Sequence, residues 1–150
     1  MRYLKNVLVI LITFTIFLFS NSNLVAQNNP VKAHQKVISA FGQEHVSQLM
    51  NQYPDSVRYY NFMVENSYTI TQKENLNSQI NYSGLSEISI NNDWIREGKV
   101  DFLKFNILML SIKPDLSQNK YFRITGTYDV LMIRSLNYIQ KKIEGYSPEK

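Results

Sequence analysis

The chain contains no cysteine, and only two histidines, four prolines and five glycines in 150 residues. Without cysteine there is no disulfide and no thiol nucleophile. A bacterial lipoprotein carries its lipid on a cysteine just after the cut site, so a lipid anchor by that route is excluded as well. The two histidines, His34 and His45, are eleven positions apart. On one continuous helix they would share a face but lie ~16 Å apart along the axis. That is too far for one zinc ion, which needs three or four close ligands. Both read as surface side chains, and no metal site is assigned. The glycines are dispersed, so no phosphate-cradling loop exists. The hydrolase elbow G-x-S-x-G is absent, and its nearest fragment, Ser83-Gly84-Leu85-Ser86, runs in the wrong order. A serine triad assembled in space would have to use His34 or His45. Basic side chains never cluster beyond Lys141-Lys142, which argues against a nucleic-acid partner.

Only one long apolar run is present, Val7 to Phe19, thirteen residues that include Thr13 and Thr15. Arg2 and Lys5 precede it, polar Ser20 to Asn23 follow, and Leu24-Val25-Ala26 offers a small residue for cleavage. This is the layout of a secretory signal peptide over residues 1–26, cut before Gln27. A membrane span needs ~20 apolar residues, so no span is expected after cleavage. Removing Arg2 and Lys5 leaves fourteen basic and twelve acidic side chains, a net charge of +2. A mature chain of 124 residues is long enough to hold itself together by its core. An exported domain without disulfides points to a bacterial periplasmic or secreted protein. Residues 27–146 read as one domain and 147–150 as a flexible tail. The triplet Asn81-Tyr82-Ser83 carries no weight in a chain so rich in Asn and Ser.

Asn29-Pro30 can open a first helix. Val37, Phe41, Leu49, Met50 and Tyr53 follow at helical spacing, with Gly42 allowing either one bent helix or two short ones. Pro54 ends that element and starts the next, with Asp55 suited to the helix dipole. In the stretch Tyr53 to Phe62, Val57 and Tyr60 face the core, Tyr59 flanks it, and Arg58 lies on the wetter side. From Tyr68 the period changes to two, and Tyr68 to Thr71 predicts a strand. Lys73 to Gly84 reads as a loop, Leu85 to Ile90 as a weaker strand, and Asn91 to Asp93 as a turn. Trp94 to Val100 is ambiguous, with a break at Gly98.

Phe105 to Ile112 is the most apolar mature segment. It fits a helix as well as a strand, but the turn cluster Pro114 to Asn119 and the alternation of Tyr121 to Thr125 favour a strand. With Val130 to Arg134 this predicts a three-stranded antiparallel meander whose first, central strand is covered on both faces. Ser135 caps a last helix, which Gly145 stops, and the chain frays from Tyr146. The expected class is therefore α+β: a helical pair, a meander and a C-terminal helix.

Two side-chain constellations remain. Asp93, Glu97 and Asp101 are spaced by four and would share a face on a helix, but cation sites need six or more oxygens, so they read as solvated. Tyr59, Arg58 and Trp94 could form a recognition patch, although large aromatics more often supply the core. No catalytic, metal or cofactor residue is assigned, and no cofactor is expected. The primary expectation is a non-catalytic exported domain that binds a protein partner or gives structural support. The alternative is a small-ligand module with a Tyr/Met-lined pocket between meander and helices. The third is a hydrolase with a dispersed carboxylate site.

Overall fold

A computed structural model of the chain describes residues 31–146. Residues 1–26, read above as a signal peptide, the Asn29-Pro30 opening and residues 147–150, read above as a tail, lie outside the described residues. The class is α+β, with four α-helices and a mixed sheet among the described residues.

The described residues open with three helices: α1 (Gln35–Phe41), α2 (Gln43–Gln52) and α3 (Pro54–Asn66). The helical pair is thus a triplet, because Gly42 divides the first stretch. Gly42 has φ +84°, which side chains disfavour, and its N–H closes α1 by donating to the Ile38 carbonyl at 2.8 Å. Pro54 stands at the start of α3 with Asp55 in the first turn, as its missing N–H and fixed φ favour. The helices bury Ala33, Val37, Val46, Val57 and Val64 against one another, with Tyr60 and Phe41 packed at the margin.

Strand β1 (Tyr68–Gln72) follows, then β2 (Ser86–Ile88), a hairpin of β3 (Ile95–Arg96) and β4 (Lys99–Val100), and the pair β5 (Lys120–Ile124) and β6 (Asp129–Ile133). The main sheet has the order β1-β6-β5-β2. β6 pairs antiparallel with both β1 and β5, and β2 lies parallel to β5. The meander expectation is corrected here. Its second and third strands exist as the β5–β6 hairpin, but Phe105 to Ile112 is not a strand, and the two interior strands are β6 and β5.

The physical reason lies in Asn106, which is 2% exposed. Its Nδ2 donates to the Lys36 carbonyl on α1 at 2.7 Å and to Ser39 Oγ at 3.2 Å. Its Oδ1 accepts from Leu108 N–H at 3.1 Å and caps a 3-10 turn over Ile107–Met109. A buried amide with those partners pins the segment to the helices and takes it out of any ladder. Side chains from one sheet face, Tyr68, Ile70, Phe122, Ile124, Leu131 and Ile133, pack with Trp94, Val100, Phe105 and Ile107. Leu108 belongs to this core and also to the helical one. The first half of the apolar segment, Phe105 to Leu108, is therefore a filler between sheet and helices without being a strand, while Met109 is 55% exposed.

Helix α4 (Leu136–Ile143) is capped by Ser135 Oγ, which accepts from Tyr138 N–H at 3.3 Å. Arg58 was expected on the wetter side of α3. It is half-buried instead, and its guanidinium donates to the carbonyls of Ile143 and Tyr146, at 3.5 and 2.9 Å, near the end of α4. Tyr146, expected to fray, is anchored too: its ring meets Phe62 edge-on at 5.2 Å, and its hydroxyl donates to Glu65 Oε2 at 2.7 Å. Among the described residues no helix is long and apolar enough to cross a membrane.

Candidate functional site

The residues singled out by sequence do not converge. His34 caps α1, its Nδ1 accepting from Lys36 N–H at 3.0 Å, while His45 is exposed on α2 beside Phe41. Asp93 sits in a short 3-10 turn, Glu97 at the tip of the β3–β4 hairpin and Asp101 just beyond it, so no helix aligns them. No group of three or more His, Asp or Glu side chains is close enough to hold a metal among the described residues. Trp94 is buried, edge-on to Phe105 at 5.7 Å, and Arg58 is committed to α4. Tyr59 is 38% exposed, and burial raises its phenol pKa with a further contribution from Tyr60. These three side chains form no joint patch.

What does converge is the surface around the β3–β4 hairpin. Ile95 pairs with Val100 and Arg96 with Lys99, leaving Glu97 and Gly98 as the two turn residues. Their φ values are +53° and +73°. A two-residue turn left-handed at both positions matches the right-handed twist of the strands, and glycine takes such a position freely. Glutamate does not, so Glu97 is held there at a cost. The hairpin is fastened to the sheet by Asp129, whose buried Oδ2 accepts from Val100 N–H at 2.7 Å.

Directly after β4 the chain folds into a tight turn. Asp101 Oδ1 accepts from Leu103 N–H at 3.0 Å, and its carbonyl accepts from Lys104 N–H at 3.1 Å and Phe105 N–H at 2.9 Å. Lys36 Nζ reaches over from α1 and donates to the Phe102 carbonyl at 2.8 Å. Burial lowers the Lys36 pKa, and the Asp101 carboxylate works against that. This fixed backbone presents Phe102 at 58% and Leu103 at 90% exposure. A groove of 420 Å³ runs between this tip and the hairpin, along Arg96, Glu97 and Lys99.

A second groove of 630 Å³ shares Glu97 and Lys99 and is lined further by Gln72, Glu74, Tyr128 and Asp129. Tyr128 is 74% exposed, yet its main chain is fixed. Its carbonyl accepts from Lys73 N–H at 2.9 Å, and the neighbouring Thr127 Oγ1 accepts from Asp129 N–H at 3.0 Å. Neither groove is lined by a histidine or a methionine. The layer between sheet and helices, where a Tyr/Met-lined pocket was expected, is filled by Phe105, Ile107 and Leu108.

Chemically this surface is suited to contact. Of its carboxylates only Asp129 is buried, and that one is engaged by a backbone N–H. No buried side-chain nitrogen or oxygen lacks a partner among the described residues. Sequence reasoning passed over Phe102, Leu103 and Tyr128. The Glu97-Gly98 pair between two short β-prone stretches was the available signal for the hairpin. No family model, no curated protein and no solved structure matches the chain.

Proposed function

We propose that this is an exported, non-catalytic domain that docks a protein partner through the Phe102–Leu103 tip. The observation carrying the reading is Leu103, 90% exposed on a turn whose backbone is fixed by hydrogen bonds from both sides. An apolar side chain held out in water on a rigid turn loses little further freedom on binding, which is how small anchor residues gain affinity. Arg96, Glu97, Lys99 and Lys104 around it supply the polar rim such contacts use. The export reading is supported by the positive start, the short apolar run and the small residue Ala26 at the expected cut, a layout that suits a periplasmic or secreted protein. A hydrolase reading would need two carboxylates buried in one cleft, and the surface offers Asp129 alone.

Two experiments test this. Intact mass of the product, expressed with its leader in a bacterium, should place the first residue at Gln27. A full-length chain kept in the inner membrane overturns export. A photo-crosslinking amino acid at position 103, activated in the producing cell, should give one discrete heavier species that disappears with Phe102→Ser. No discrete species overturns the docking role.

A further inference from the structure

We propose that the groove between Tyr128 and the β3–β4 hairpin binds a neutral saccharide, with one sugar ring stacked on Tyr128. Tyr128 is the most exposed aromatic side chain among the described residues, at 74%. Its turn is nonetheless rigid, closed by Lys73 N–H on the Tyr128 carbonyl and by Thr127 on the Asp129 and Ile124 backbone. Such a ring offers a flat apolar face at small entropic cost. The apolar C–H face of a pyranose fits it.

Polar side chains stand beside the ring. Turning the Gln72 carboxamide to satisfy both its ends places its oxygen 3.0 Å from Lys99 Nζ and its nitrogen 2.9 Å from Glu74 Oε1. Gln72, Glu74 and Lys99 thereby form one connected row of donors and acceptors, with the Glu97 carboxylate also lining the groove. Hydroxyl groups both donate and accept, so a row of mixed character suits a polyol better than it suits an ion.

Charge balance narrows the ligand further. Lys73 and Lys99 offset Glu74 and Glu97, and Lys73 Nζ is already 4.7 Å above the Tyr82 ring. Asp129 adds one negative charge, but its Oδ2 is taken by Val100 N–H. An anion would meet no excess of positive charge here, and a metal ion no cluster of ligands. The volume of 630 Å³ falls within the ~300–1,000 Å³ of small-molecule sites.

The proposal is independent of the Phe102–Leu103 tip, and its test keeps the two apart. The ¹⁵N-labelled protein is titrated in turn with maltohexaose, cellohexaose, chitohexaose and inorganic phosphate while backbone amide signals are followed. At least one hexasaccharide should move the amides of Gln72 to Glu74, Glu97 to Lys99 and Gly126 to Asp129. Tyr128→Ala should weaken that saccharide about tenfold, the loss expected for one stacked ring, with the rest of the spectrum unchanged. Leu103→Ser should leave the affinity as it was. If no hexasaccharide moves these amides, or if phosphate moves them at lower concentration, the assignment is wrong. An unchanged affinity in Tyr128→Ala also overturns it.

Discussion

Arg58 on α3 donates its Nε–H to the carbonyl of Tyr146, 88 positions later in the chain, at 2.9 Å. The same guanidinium reaches the carbonyls of Ile143 and Glu144 at 3.5 and 3.4 Å. The last carbonyls of a helix have no partner within it, and they attract a cation. One side chain therefore closes α4 and ties it to α3.

Arg58→Ala should consequently cost about 1–2 kcal/mol, the range for a half-buried charged group on a helix C-terminus. Arg58→Lys should recover part of this, since it keeps the charge and loses the planar fork. Urea denaturation of both variants measures it. Equal midpoints for parent and Arg58→Ala would show that α4 needs no such cap.

Asp129 fastens the hairpin to the sheet through Val100 N–H at 2.7 Å. Asp129→Ala removes the acceptor and strands a buried N–H, which should cost about 2 kcal/mol. Asp129→Asn keeps an oxygen of the same reach and should cost under about 1 kcal/mol. Thermal melts of the two variants should separate clearly, and the amides of Glu97 to Lys99 should exchange faster in the alanine form.

Glu97, with φ +53°, occupies a backbone region that asparagine adopts more readily. Its ion pair with Arg96, at 3.7 Å, joins two side chains that are more than three-quarters exposed, so losing it matters little. Glu97→Asn should raise stability by up to about 1 kcal/mol. A lowered melting temperature would contradict the left-handed turn. The same change should weaken hexasaccharide binding, because the groove loses a carboxylate.

Burial raises the Tyr68 phenol pKa above its ordinary value of 10.0. As pH climbs past about 10 the unfolded chain ionises first. It then binds fewer protons than the folded chain, and stability falls with rising pH. This contribution is fully present below pH 10 and is lost as pH rises through the folded value. Lys36, lowered from 10.5 by burial, acts with the opposite sign in the alkaline range. Tyr68→Phe keeps the ring beside Phe105, 5.2 Å away, and should flatten the alkaline loss of stability. Denaturation curves at pH 8 and at about pH 11 in parent and variant would show it.

Much of the secondary structure was legible because its causes are local. Gly42, Pro54 and Ser135 punctuate helices by backbone freedom, a missing N–H and a capping hydroxyl. Tyr68 to Thr71 and Tyr121 to Thr125 alternate because one sheet face is buried. Phe105 to Ile112 was misread because an apolar run signals burial alone and cannot distinguish a central strand from a filler. Asn106 decided the matter, through bonds to residues some seventy positions away. The parallel pairing of β2 with β5 was equally out of reach, since a crossover of some thirty residues carries no local mark. In the candidate surface, a Glu-Gly turn is a faint hairpin signal beside Asn-Gly or Asp-Gly. Arg58 looked wet only because the helix end it serves is distant in sequence.

The sheet order also governs when the sheet can form. The strand between β1 and β5, β6, is the last of the described strands, and Tyr68 in β1 faces Ile133 across more than sixty intervening residues. During synthesis β1 emerges early and has no antiparallel neighbour until β6 arrives. Loop closure over that span must come before the pairing rewards it. High contact order of this kind slows folding relative to a helical domain of equal length. Until β6 docks, β1 is an exposed alternating strand whose edge any other extended chain could occupy.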